Sequence, residues 1–247
     1  MTHVFANRDE LARAAASLAG DSLRRLLGGN EMVRLLAATG SSQLPFLEAL
    51  RQEEGLDWAR VELFHLDEYV GIGINHPASF GRYIKERVVD VLGIRKYHLI
   101  DGLREPHEMA RAVGAELNAA PVHLCFCGIG ENGHLAFNEP PADFEASDPY
   151  LVIELDEISR QQQVDEGWFQ SLEMVPKQAI TASIPWIMNS GEIICLAPER
   201  RKADAVKACL EGPVSAMAPA SILRVHPNAH IFLDNDSASL LDKKALG

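Results

Sequence analysis

The stretch that most constrains this chain is residues 125–139, CFCGIGENGHLAFNE, an apolar run that breaks into glycines and then presents polar side chains. Val122, Leu124, Phe126 and Ile129 mark a buried strand, and Gly128, Gly130 and Gly133 permit positive φ or close approach of a ligand. In an open α/β sheet, ligands sit beyond the carboxyl ends of the strands. The strand therefore ends where chemistry can begin. A plain strand-to-helix turn accounts for the glycines alone. The crowding of His134, Asn138 and Glu139 weighs towards a site.

The rest of the chain repeats that grammar. Residues 7–27 have the apolar spacing of a covering helix, with Asn7 as N-cap ahead of Asp9 and Glu10. Residues 31–38 predict a buried strand, 39–42 a small polar loop and 43–52 a helix. A second strand over 60–66 runs into Asp67-Glu68, and Pro77 opens a helix through Phe80, Tyr83, Ile84 and Val88. A short strand follows at 97–100, a helix at 105–118 and a strand at 150–155. Residues 179–183 and 192–196 predict the last interior strands. Pro198 opens a helix reaching Cys209, Pro219 starts a short one, and 230–233 forms the final strand. No repeat, linker or low-complexity tract divides the 247 residues. The pattern predicts one α/β domain over 1–247, with a mostly parallel central sheet flanked by helices on both faces, a Rossmann-like arrangement.

Charge narrows the partners. A formal net charge of −12 opposes binding to nucleic acid, so an anionic ligand must be held by local groups. Cys125, Cys127, Cys195 and Cys209 lack the paired spacing of a zinc site and read as reduced core thiols; no metal and no organic cofactor is expected. No leader-like N-terminus and no run of membrane-spanning length is present, which predicts a cytoplasmic protein with no membrane partner.

Strand, Thr39-Gly40-Ser41-Ser42, helix is the layout of a phosphate cradle, and equally that of an ordinary capped helix start. No lysine follows as in a nucleotide-triphosphate loop. Asp67 and Glu68 are consecutive on a strand, so one faces a site and the other does not. Lys202, in the first turn of its helix, opposes the dipole unless an anion is near; alone it would pass for a solvated lysine of a basic triplet. Arg82 and Lys85 read as solvated positions. Gln161, Gln162 and Gln163 fit sugar recognition or an exposed helix face. Together, a phosphate-type loop, the Asp67 carboxylate and a His134–Glu139 pair suit proton transfer on a small phosphorylated molecule.

Residues 66–84 (LDEYVGI…HPASFGRYI) and 128–140 (GIGENGHLAFNEP) resemble the signatures of glucosamine-6-phosphate deaminases. ATGSSQLPF, RKADAVKACLEG and SILRVHPNAHIFLD match in order, so the likeness runs from about Val33 onward. It implies conversion of glucosamine 6-phosphate and water to fructose 6-phosphate and ammonia. Asp67 would then remove the C2 proton of the opened sugar. His134 would open the ring, oriented by Glu139. Asn132, where some members carry Asp, would orient His134 by hydrogen bonding, and Thr39, Gly40, Ser41 and Ser42 with Lys202 would hold the phosphate.

Two departures stand out. The phosphate-binding arginine of better-known members has no clear counterpart among Gln161, Gln162, Gln163, Val164 and Asp165, which leaves Arg160 as the candidate. Residues 142–149 lack the basic side chains of members activated by an N-acetylated sugar, so no such activation is expected. A 6-phosphogluconolactonase on the same fold and a sugar-phosphate-sensing domain are the alternative readings. The preferred hexosamine phosphate and the oligomeric state stay open.

Overall fold

The computed structural model describes residues 1–242. The chain begins with strand β1 (Thr2–Phe5), helix α1 (Arg8–Gly29), β2 (Val33–Ala37) and, after a 3₁₀ turn at Ser41–Gln43, α2 (Leu44–Leu50). Strands β3 (Val61–His65) and β4 (Asp67–Tyr69) precede α3 (Phe80–Ile84), which continues through a π turn at Lys85–Val89 into α4 (Asp90–Leu92). Then come β5 (Lys96–His98), α5 (Pro106–Asn118), β6 (Leu124–Gly128), β7 (Tyr150–Glu154) and α6 (Glu157–Asp165). The last elements are β8 (Gln178–Ala182), α7 (Ile184–Met188), β9 (Glu192–Ala197), α8 (Ala203–Glu211) and β10 (Ala229–Asp234).

Seven strands form one parallel sheet in the order β1-β10-β9-β6-β2-β3-β5. Its middle strands are buried on both faces, which is why they read as continuous apolar runs. In β6 the faces separate cleanly. Leu124 and Phe126 pack with α1, α2 and α3, whereas Cys125 and Cys127 join the opposite core against α5, α7 and α8. All four cysteines are buried free thiols. Helix α1 starts as its cap predicts, with the Asn7 side chain accepting from the Glu10 N–H, and it buries Leu11, Ala15, Ala19 and Leu23. Truncating a fully buried leucine such as Leu23 costs about 2–5 kcal/mol.

Two readings need correction. Residues 179–183 are not an interior strand of the main sheet: β8 pairs antiparallel with β4 and β7 in a separate three-stranded sheet. Its burial, complete over Ala179–Ala182, is two-sided: Ala179 packs with Tyr69, Phe80, Phe137 and Phe169, whereas Ile180 and Ala182 join the core that also holds Cys125 and Cys127. The second is β1, which pairs with β10 at the sheet edge where no strand was expected, because Thr2 and His3 give it no apolar pattern.

Candidate active site

From β2 the chain moves outward to β3 and β5, then returns to lay β6 on the other side of β2. The loops after β2 and β6 therefore diverge and leave a crevice at the switch point. The small sheet and α6 wall it in. Thr39, Gly40, Ser41, Ser42, Asp67, His134 and Lys202 all line this one cleft. Asn132 and Glu139 stand behind His134.

At one end Gly40, with φ of 101°, turns the chain in a way a side chain would oppose. The Gln43 side chain donates to the Cys127 carbonyl at 3.2 Å and ties this loop to β6. Lys202 lies in the 3₁₀ turn Arg200–Lys202 that precedes α8, not in the first turn of the helix. It is 4% exposed, and its ammonium donates to Ser42 Oγ at 3.1 Å. Burial lowers its pKa, and the negative charge of Glu166 is the largest opposing effect.

Arg201 was not anticipated. Its guanidinium donates to Ser41 Oγ at 3.2 Å, to Glu131 at 2.6 Å, to Glu166 at 2.9 Å and to Glu199 at 2.7 Å. Arg160 does not serve this end: it donates to the Leu172 and Val175 carbonyls at 2.5 and 3.1 Å. Of the three glutamines, Gln161 is exposed and bonds Asp165, while Gln162 and Gln163 are buried against the cleft.

At the other end, Asp67 opens β4 two residues past β3. Its carboxyl faces the cleft, and burial, reinforced by the charge of Glu68, pushes its pKa up to about 8. Glu68 points the other way, as strand alternation requires. Its carboxylate accepts from the Ser79 hydroxyl at 2.6 Å and from the Gly81 N–H at 2.8 Å, so it anchors the start of α3.

Gly130 is required by close approach, because a Cβ there would meet Cε1 and Nε2 of His134 at 2.2 Å. The other ring nitrogen, Nδ1, lies 2.9 Å from Ser159 Oγ, and Ser159 Oγ lies 2.9 Å from Glu139 Oε2. The direct His134–Glu139 separation is 3.6 Å. An ionised carboxylate only accepts, so the serine proton goes to Glu139 and the serine lone pair receives Nδ1–H. In a neutral ring that pattern fixes the tautomer, with the lone pair on Nε2. Burial raises the Glu139 pKa, but the contacts with His134, Ser159 and Asn132 more than offset this and hold it below the usual glutamate range.

Asn132 acts differently from expectation. Its carbonyl accepts from the His134 backbone N–H at 3.0 Å, and its amide donates to Glu139 at 2.7 Å and to Asp156 at 2.6 Å. It orients the carboxylate and the main chain, not the imidazole. Asp156 also N-caps α6 and places Ser159, whose N–H it accepts at 2.7 Å. The only sequence signal for Ser159 was its place in the first turn of a capped helix.

The family model of glucosamine-6-phosphate isomerases/6-phosphogluconolactonase matches residues 6–232. A glucosamine-6-phosphate deaminase of Streptococcus suis is 37% identical over 246 residues, covering 97% of this chain and 98% of that protein. One from Hahella chejuensis is 33% identical over 93% of this chain and 88% of its own length. Among solved structures, a monomeric glucosamine-6-phosphate deaminase superposes with a TM-score of 0.89 at 28% identity, covering 97% of this chain and 99% of that one. A 6-phosphogluconolactonase from Thermotoga maritima shares the fold at a TM-score of 0.78 and 17% identity, over 95% of this chain and 100% of its own.

Proposed function

The chain belongs to the glucosamine-6-phosphate isomerase/6-phosphogluconolactonase family, and from that premise we propose that its cleft converts glucosamine 6-phosphate and water into fructose 6-phosphate and ammonia. One observation carries the reading: Asp67 and His134 open onto the same cleft, and the far end of that cleft presents Lys202 with the 39–42 loop.

The phosphate sits against Ser41, Ser42 and Lys202. His134 Nε2, its lone pair set by the Ser159–Glu139 relay, moves the proton between ring oxygen and hydroxyl as the pyranose opens. Asp67 then takes the C2 proton, and the electron pair forms an enolamine whose reprotonation at C1 gives an imine at C2. Water adds there and ammonia leaves. Each positioned acid or base contributes on the order of 10²–10⁴-fold. Gln163 offers its amide to the sugar hydroxyls.

A lactonase has no need of a carbon base, so the desolvated Asp67 carboxyl favours deamination over lactone hydrolysis. The deciding assay is ammonia release from glucosamine 6-phosphate against acid release from 6-phosphogluconolactone. Acid release without ammonia would replace this reading by the second.

A further inference from the structure

The anion end of the cleft contains its own anion. Glu166 lines the cleft beside Lys202, and its side chain is only 7% exposed. Oε1 accepts from Arg201 Nη1 at 2.9 Å and from the Gln162 amide at 2.9 Å, and Oε2 accepts from the Trp168 indole N–H at 3.2 Å. A carboxylate oxygen has room for two donors, so Oε2 keeps one position open.

Around it the charges cancel. Arg8, Arg201 and Lys202 face Glu131, Glu166 and Glu199, since Arg8 also pairs with Glu199 at 2.8 Å. The Tyr69 and Tyr83 phenols, which also feel the charge of Glu166, are both pushed up by burial and stay neutral. Asp67 and His134 lie at the other end of the cleft. A site neutral before its ligand arrives tolerates one negative charge better than two, and an acceptor with an open position rewards a ligand that brings a proton.

We propose that Glu166 accepts a hydrogen bond from a protonated phosphoryl oxygen, so that the cleft selects anions still carrying a proton and rejects fully ionised ones of the same shape. A phosphate monoester, with its second pKa near 6, supplies such a form close to neutrality. A sulfate does not. The proposal rests on the reading that the Lys202 end holds phosphate.

Calorimetric titration with inorganic phosphate and inorganic sulfate, at about pH 6 and about pH 8, tests it. Wild type should bind phosphate more tightly at the lower pH and sulfate at least ~10-fold more weakly than phosphate, the scale of a hydrogen bond to a charged group. Glu166→Gln, whose amide donates, should bring the two anions within roughly 3-fold and remove the weakening of phosphate at high pH. Lys202→Met should lose both anions. Unchanged selectivity in Glu166→Gln, with phosphate still dependent on Lys202, overturns the proposal and leaves the functional reading standing. Failure of wild type to bind phosphate overturns both. If Glu166→Gln does not fold, Glu166→Asp keeps the charge but withdraws the acceptor. Phosphate at about pH 6 should then weaken roughly 5-fold, and an unchanged affinity would refute the acceptor role.

Discussion

The two ends of the cleft are built on different principles. The end proposed for proton transfer presents Asp67 and His134 from two compact segments, Asp67-Glu68 and the loop after β6, and the start of α6 backs His134 through Ser159, which bonds Glu139, and Asp156, which bonds Asn132. The end proposed to hold the anion is assembled from the 39–42 loop, α6 and the 3₁₀ turn before α8; its arginines are already shared among carboxylates, while Lys202 donates to Ser42. Rigid geometry serves the first, where a displaced proton acceptor loses the reaction. Charge balance serves the second, where strength must stop short of trapping the product.

The largest effect that separates the two ends is expected from Asp67→Asn. Turnover should fall by at least ~10³-fold while phosphate affinity stays within about 2-fold. The same variant should be more stable at alkaline pH. Because burial raises the folded-state pKa of Asp67 to about 8, the folded protein holds a proton that the unfolded chain releases near pH 4. Stability from this group is present below the unfolded pKa and is lost as pH rises towards 8. Removing the ionisable group should raise Tm at about pH 8 by roughly 2–6 °C and leave it little changed at about pH 4. A lower Tm at both pH values would show that Asp67 is structural.

Gly130→Ala sharpens the contrast from the histidine side. The new Cβ pushes the His134 ring off its position, so kcat should drop about 10²-fold with the affinity for phosphate intact. Ser159→Ala should cost roughly 10-fold in kcat, less than loss of the imidazole, because Glu139 remains 3.6 Å from Nδ1. Its signature is a loss in kcat with phosphate affinity unchanged, since Ser159 touches His134 and Glu139 and not the 39–42 loop. In wild type, kcat/KM should rise with pH up to about 8, as the Asp67 carboxyl becomes the base form. A smaller change belongs to Trp168→Phe, which removes one donor to Glu166. Phosphate affinity should shift by no more than about 3-fold, with kcat unaltered.

How much of this could be read from the chain follows the same division. β2, β3, β6 and β9 were legible because strands buried on both faces are continuous apolar runs. β8 was legible as a buried strand but not as part of the small sheet, since Ala179-Ile180-Thr181-Ala182 records burial and not which strands lie beside it. The alternation of Asp67 and Glu68 was foreseeable from strand geometry alone. The relay through Ser159 was not, because a hydroxyl in the first turn of a helix says nothing about what faces it across space. Lys202 was singled out for a reason that does not hold: it lines the cleft from a buried 3₁₀ turn ahead of α8 instead of sitting in the helix's first turn. Arg201 and Glu166, far apart in sequence and each ordinary by itself, became notable only when the fold placed them 2.9 Å apart.

The most direct measurement of the central claim follows the C2 hydrogen of glucosamine 6-phosphate by proton NMR in D₂O. Wild-type protein should remove it and Asp67→Asn should leave it in place even when the variant is saturated with ligand. Loss of the C2 hydrogen in Asp67→Asn at close to the wild-type rate would contradict the account.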